Sequence, residues 1–113
     1  MSKIAQRGIA KSEQDAPRSR LDRISWEELK LFLACADGRS FSEAARVLGL
    51  YASSVYRRIE RLEHSLDLAL FHRTLDGITL TADGELIAEK ARLMHQSFCD
   101  LDRSRANIAA DDR

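Results

Sequence analysis

The sequence predicts a mainly α-helical fold in which three helices, a short β-hairpin and a long final helix follow one another. The chain has 113 residues, which suits one domain of ordinary size. It contains one proline and five glycines, too few turn-forming residues for an all-β fold. Apolar residues make up 44% of the chain and charged residues 32%, enough for a core beneath a charged surface.

The first 24 residues carry six basic and three acidic side chains, and their apolar residues follow neither a helical nor a strand period. We therefore expect residues 1–24 to form a flexible basic N-terminal arm. Two roles fit this arm: a solvated tail without a binding role, or a positively charged segment that touches DNA phosphates.

Two helix starts based on serine follow the arm. In Ser25–Glu28 a glutamate follows a serine by three residues, the pattern of a capping box, and Gly38 is expected to end this helix in a left-handed conformation. The same pattern in Ser40–Glu43 predicts a second, two-turn helix that ends at Gly49. The apolar positions are Leu29, Phe32, Leu33, Cys35 and Ala36 in the first helix and Phe41, Ala44, Ala45, Val47 and Leu48 in the second.

A third helix, a hairpin and a last helix complete the predicted order. The short runs 68–73 and 77–80 flank an Asp76–Gly77 turn signal and predict a hairpin. Thr81 is the expected N-cap of the last helix, residues 82–108, which leaves 109–113 as a tail. The third helix, residues 52–66, has four apolar residues on one stripe, namely Val55, Ile59, Leu62 and Leu66.

Three residues at a fixed spacing indicate how the second and third helices meet. Ala45 is small enough to let two helices approach, Gly49 permits a tight turn, and Val55 packs the second helix on the first. This is the helix-turn-helix pattern. The hairpin after it predicts a winged helix-turn-helix domain over residues 25–81.

The third helix also has a free face. On a helical wheel, Arg57 lies opposite the apolar stripe and is flanked by Tyr56 and Arg61. Guanidinium groups can pair with guanine edges in the major groove, and hydroxyls can meet bases or phosphates. The alternative is an ordinary solvated helix surface.

Five short motifs occur in order along residues 26–91. They are W-x-x-L-x-x-F-L at 26–33, S-F-S-x-A-A-R-x-L-G-L at 40–50, V-x-R-R-I-x-x-L-E at 55–63, L-F-x-R-T at 70–74 and L-T-x-x-G at 80–84. With these motifs and intervals the chain resembles the N-terminal winged helix-turn-helix domain of LysR-type transcriptional regulators. The resemblance implies a recognition helix in the major groove, a wing beside the phosphate backbone or minor groove, and dimers on partly palindromic sites.

The chain departs from the family's usual pattern at the recognition helix and at the wing. Residues 51–54 are Tyr-Ala-Ser-Ser where the family commonly has Ser-Gln-Pro-Ala or Ser-Gln-Ser-Ala, so a good N-cap and an adenine-reading amide are missing. Tyr56 replaces a small hydroxyl residue, and the wing tip at Leu75–Asp76 is acidic. We expect a sequence preference unlike that of typical members and weaker phosphate binding by the wing.

The main hypothesis is a sequence-specific transcriptional regulator that acts as a homodimer on double-stranded DNA, with helix 52–66 in the major groove and wing 70–80 on the backbone. The alternative is a winged-helix interaction module that forms heterodimers with a full-length regulator or another protein without strong DNA binding. Zero net charge and the acidic wing favour this alternative. The residues expected to contact DNA are Tyr51, Ser53, Ser54, Tyr56, Arg57, Arg58, Arg61, Arg73 and Thr74.

The last helix carries an apolar seam whose residues recur in steps of four and three. A helix with such a stripe needs a partner, because the small domain can cover only its beginning. The resemblance implies a linker helix that pairs two protomers, usually in antiparallel fashion; packing wholly on its own domain is the other interpretation. The expected dimer-interface residues are Ile87, Ala91, Met94, Phe98 and Leu101.

No enzyme, cofactor or metal site is expected. The sequence lacks a phosphate-binding glycine loop, a G-x-S-x-G motif and an acid–histidine pair at a helical spacing that would poise a catalytic base. Cys35 and Cys99 have no CxxC spacing and fit reduced thiols. The longest apolar run, residues 31–36, is far shorter than the roughly 18 residues of a membrane span, so we expect a cytoplasmic protein.

Full members of the family continue into a large effector-binding domain, and this chain ends before one. No inducer pocket is therefore expected. The distinctive arm favours a natural stand-alone dimer over a truncated form of a longer protein.

Overall fold

The computed structural model describes residues 20–111, which form four α-helices and a two-stranded antiparallel hairpin. The predicted winged helix-turn-helix fold with a long final helix is confirmed, as are the bounds of the third helix. Residues 1–19 of the predicted arm and residues 112 and 113 lie outside the described part. The elements are α1 (Trp26–Gly38), α2 (Phe41–Leu48), α3 (Ala52–Leu66), β1 (Phe71–Thr74), β2 (Gly77–Leu80) and α4 (Ala82–Asp111).

The end of the predicted arm has regular structure. Arg20–Arg23 form a short 3-10 helix that packs against α3. Ile24 follows and packs half-buried against the core. Regular structure thus begins before Ser25, where the 3-10 helix packs against α3 and Ile24 packs against the core.

Serine hydroxyls set the starts of the first two helices. The Ser25 hydroxyl accepts from the Glu28 amide at 3.3 Å, and the Glu28 carboxylate accepts from the Ser25 amide at 3.2 Å, which confirms the first capping box. The Ser40 hydroxyl accepts from the Glu43 amide at 2.8 Å. The carboxylate of Glu43 accepts from Arg46 at 3.2 Å, so only half of the second predicted box is formed.

The residue that ends α1 in a left-handed conformation is Arg39, and the prediction of Gly38 was wrong. Arg39 has a φ of 58°, and its amide donates to the Cys35 carbonyl at 2.9 Å. Gly49, with a φ of 71°, ends α2 as predicted. The α4 helix starts at the predicted Thr81 cap, whose hydroxyl accepts from an amide of the first turn at 2.8 Å, and continues past residue 108.

A single core lies between α1, α2, α3, the hairpin and the first turns of α4. The rings of Phe32 and Phe71 meet there at a centroid distance of 5.4 Å. Burial raises the pKa of the Cys35 thiol to about 12, as befits the core residue that the sequence predicted. The most deeply buried side chains are Phe32, Cys35, Val55, Ile59 and Leu70.

Two glycines allow the hairpin to lie close to the helices. Gly77 pairs with Thr74 in the hairpin register and has a φ of 138°. A side chain at Gly77 would overlap the Arg39 carbonyl oxygen, and one at Gly84 would overlap the Leu70 carbonyl oxygen. The wing therefore has a fixed position relative to α1 and α4.

We predict that Gly84→Ala lowers the free energy of unfolding by about 2–3 kcal/mol, because the added methyl group forces two backbone segments apart. Gly38→Ala is the matched control. A methyl group at Gly38 meets the Glu43 side chain at 3.2 Å and the Ala44 backbone nitrogen at an ordinary contact distance of 3.7 Å, so its effect should stay within about 1 kcal/mol. Urea unfolding at one fixed protein concentration measures both. Equal stability of the Gly84 variant and the parent would contradict the close approach.

Candidate DNA-binding surface

The helix-turn-helix contact has the predicted geometry. Ala45 and Val55 are both buried in the core, and Gly49 turns the chain between their helices. The amide of Leu50 donates to the Ala45 carbonyl at 2.9 Å and closes the turn. This turn fixes the direction in which α3 leaves α2.

The α3 helix has one buried face and one free face. Val55 and Ile59 are fully buried, and Leu62 is nearly so. Ser54 and Arg58 are half-buried at the boundary between the faces. The predicted free face is confirmed as exposed, and it bears Ser53, Arg57, Glu60, Arg61 and His64.

The start of α3 lacks a side-chain cap. Tyr51 occupies the N-cap position, its side chain makes no capping hydrogen bond, and its ring is 82% exposed. Val47 and Leu48, included above among the apolar positions of α2, point away from the core, and Val47 is 63% exposed. An exposed apolar patch of Val47, Leu48, Leu50 and Tyr51 thus adjoins the start of α3.

The wing is closed by a hydrogen bond within the hairpin. The Thr74 hydroxyl donates to the Gly77 carbonyl at 3.1 Å and tightens the turn. Leu75 and Asp76 form the exposed tip. An apolar and acidic tip is poorly suited to bind phosphate.

The guanidinium of Arg73 lies against aromatic rings of α2 and α3. Its central carbon is 4.9 Å from the centre of the Tyr56 ring and 5.6 Å from the centre of the Phe41 ring, within the range of cation–π attraction. Its Nη2 atom lies 3.8 Å from Oε1 of Glu63. These contacts join the wing to the helix-turn-helix.

Sequence reasoning did not include Glu63 and Phe41 among the site residues. Glu63 Oε2 accepts from the Leu70 amide at 2.7 Å and from the Phe71 amide at 3.3 Å, so the carboxylate fixes the entry to β1. Phe41 meets the Tyr56 ring edge-on at 5.7 Å. The available signal was that Phe41 and Glu63 both lie within family motifs, and that Glu63 is a carboxylate directly after Leu62 of the apolar stripe.

The phenol of Tyr56 belongs to the exposed surface. Its hydrogen bond to Glu60 raises the pKa of Tyr56, the charge of Glu60 raises it further, and the positive charge of Arg73 opposes the rise. The phenol is therefore protonated at neutral pH and can donate a hydrogen bond.

The predicted seam of α4 divides into a covered and an exposed part. Ala91 is 1% exposed, and Ile87 packs against the core of the same chain. Met94, Phe98 and Leu101 lie farther along α4, each about half or more exposed. The apolar stripe thus continues past the end of the domain that supports it.

Within residues 20–111 no group of three or more histidine, cysteine, aspartate or glutamate side chains is arranged to hold a metal ion. The described helices also include none with the length and apolar character that crossing a membrane requires.

Comparison with known proteins places this arrangement among bacterial regulators. The sequence profile described as "Bacterial regulatory helix-turn-helix protein, lysR family" matches residues 26–85. The HTH-type transcriptional regulator YofA of Bacillus subtilis (strain 168) is 42% identical over 64 residues, which cover 57% of this chain and 22% of that protein. The HTH-type transcriptional regulator ClcR of Pseudomonas putida is 37% identical over 84 residues, which cover 74% and 29% of the two chains.

The chain thus spans about a quarter of the length of these curated relatives. Among solved structures, the DNA-binding domain of CbnR in complex with DNA matches with a TM-score of 0.66 and 32% sequence identity. The match covers 75% of this chain and 99% of that domain. The winged helix-turn-helix architecture is therefore shared over nearly the whole of a domain solved with DNA.

Proposed function

Because this chain belongs to the LysR family of bacterial regulatory helix-turn-helix proteins, we propose that it is a sequence-specific DNA-binding transcriptional regulator that acts as a homodimer. One observation carries the proposal. The buried stripe of α3 holds a free face outward on which Arg57 and its neighbours are exposed. A rigid helix with such a face suits the major groove.

The contacts divide by position on α3. Arg57 and Ser53, in the middle of the free face, are proposed to meet base edges, since arginine can pair with guanine O6 and N7. Arg58 and Arg61 flank this row and are assigned to phosphates, together with the hydroxyl of Ser54. Tyr51 and Tyr56 add exposed rings directly before and directly after the first turn of α3.

On the wing, Thr74 is proposed to lie beside the DNA backbone. Its side chain is exposed, at the end of β1 nearest the tip. Arg73 differs from Thr74 because its guanidinium already has partners within the protein.

The homodimer is proposed to form through the exposed part of the α4 seam. Met94, Phe98 and Leu101 continue a stripe whose first members, Ile87 and Ala91, are covered by the chain's own core. Trp26 of α1 widens this surface, with its ring 6.3 Å from that of Phe98. The α4 helix of a second copy offers the same apolar stripe, so pairing of the two helices covers both stripes at once.

A second candidate function is an interaction module that pairs with a related full-length regulator or another protein. Zero net charge and the exposed Leu75–Asp76 tip favour it. The named relatives are transcriptional regulators. We assign no enzymatic reaction to the chain under either candidate function. A cytoplasmic location follows from a role at the chromosome.

The dependence of DNA affinity on salt separates the two candidates. If the chain is a DNA-binding regulator, log K should fall with log salt by about 0.9 for each phosphate that it neutralises. The measurement is fluorescence anisotropy with duplex fragments selected from genomic DNA. No retention of DNA at about 50 mM salt would favour the interaction module.

We predict that Arg57→Ala weakens binding to the selected site by about 1–3 kcal/mol, the usual effect of losing a base contact. Arg103→Ala is the control, because Arg103 is exposed on the distal part of α4 and pairs with Asp100 on the same helix. The control should bind like the parent. Equal affinities of the Arg57 variant and the parent would refute the role of Arg57 in base contact.

We predict that Phe98→Glu weakens the homodimer by about 2–3 kcal/mol, or roughly a hundredfold in Kd, because a charge replaces a large apolar side chain in the seam. Gln96→Glu adds the same charge to a different face of α4 and should leave the dimer intact. Sedimentation equilibrium measures both. A dimer of unchanged strength in the Phe98 variant would place the interface elsewhere.

A further inference from the structure

A cluster of four side chains, here named the arginine clip, joins the wing to the recognition helix. It consists of Arg73 on β1, Phe41 on α2, and Tyr56 and Glu63 on α3. The guanidinium lies 4.9 Å from the Tyr56 ring centre, 5.6 Å from the Phe41 ring centre and 3.8 Å from a Glu63 carboxylate oxygen. Three elements that are separate in the sequence thus meet around one cation.

The clip gives the Arg73 guanidinium partners within the protein, although its side chain is still 42% exposed. Two aromatic rings and one carboxylate attract the cation toward α2 and α3, which reduces its capacity to pair with a phosphate. Arg57 provides the contrast, because its side chain is exposed and makes no ion pair or ring contact within residues 20–111.

The clip also fixes Tyr56. The edge of Phe41 lies against the Tyr56 ring at 5.7 Å with an interplanar angle of 78°, and the Arg73 guanidinium lies over the same ring. A tyrosine on an exposed helix face otherwise samples several rotamers. These two contacts fix the ring, and the hydrogen bond to Glu60 fixes the phenol, on a side chain that is still 38% exposed.

We propose that Arg73 is a positioning residue for base recognition: it holds the Tyr56 ring so that the phenol oxygen, whose O–H is donated to Glu60, accepts a hydrogen bond from a base edge in the major groove. This inference rests on the proposed DNA-binding function. The donor on the base belongs to the class of adenine N6 and cytosine N4 amino groups. Arg73 itself neutralises no phosphate, and it affects affinity only through Tyr56.

The salt dependence of binding distinguishes this role from phosphate anchoring. Arg73→Gln should leave the slope of log K against log salt unchanged, because no phosphate contact is lost. It should lower the ratio of affinities for the selected site and an unrelated duplex about tenfold, the effect of losing one base contact. Arg58→Gln is the matched control on α3 and should make the slope less steep by about 0.9.

A slope that becomes less steep by about 0.9 in Arg73→Gln overturns the proposal, and so does an unchanged affinity ratio. Tyr56→Phe serves as the second variant, since it keeps the aromatic ring in the clip and removes only the hydroxyl group. It should lower the ratio by a similar factor. The double variant should lose no more than the larger single effect, because both changes remove one contact; additive losses overturn the proposal.

A measurement on the free protein tests the clip separately from DNA binding. Ring currents of Tyr56 should shift the δ-proton signals of Arg73 upfield in the NMR spectrum. The shift should persist in Tyr56→Phe and decrease in Tyr56→Ser, where the more distant Phe41 ring remains. An unchanged shift in Tyr56→Ser overturns the clip, whereas a parent chain that shows the shift but binds no DNA overturns the proposed function and the base-reading role with it.

Discussion

The burial of one stripe of α3 is the constraint on which the rest of the structure depends. Val55 and Ile59 are fully buried and Leu62 nearly so, so the helix cannot rotate without exposing them to water, at a cost of about 1.5–3 kcal/mol for each side chain. Because α3 is a rigid helix, fixing its buried face also fixes the position of its exposed face. The guanidinium and hydroxyl groups of the opposite face therefore stand at defined positions, which a surface that reads base edges requires.

Backbone contacts and the burial of Leu70, Phe71 and Ile78 together fix the position of the wing. The Glu63 carboxylate accepts hydrogen bonds from two amides at the entry to β1. The Ile78 amide donates a hydrogen bond to the Arg39 carbonyl at 3.1 Å. Gly77 and Gly84 lack the side chains that would block these approaches. The hairpin is thus held against α3, and the contacts of Arg73 with Tyr56 and Glu63 join the two.

Local sequence patterns predicted most of the fold because caps, turns and stripes involve neighbours in the chain. Ser25 and Thr81 cap their helices as expected, but the choice between Gly38 and Arg39 as the left-handed residue depends on where the next helix begins. Val47 and the partners of Arg73 escaped prediction for a different reason. The exposure of Val47 and the stacking of Arg73 on Tyr56 are set by elements distant in sequence, and no spacing within one helix encodes them.

The most direct test of the central claim is an NMR titration of the isotope-labelled protein with its selected DNA site. If α3 is the reading element, the largest amide shifts should cluster between Ser53 and Arg61, with smaller shifts at Thr74 and little change beyond Leu101 on α4. Shifts concentrated on α1 or α4, with the amides of α3 unaffected, would contradict the account.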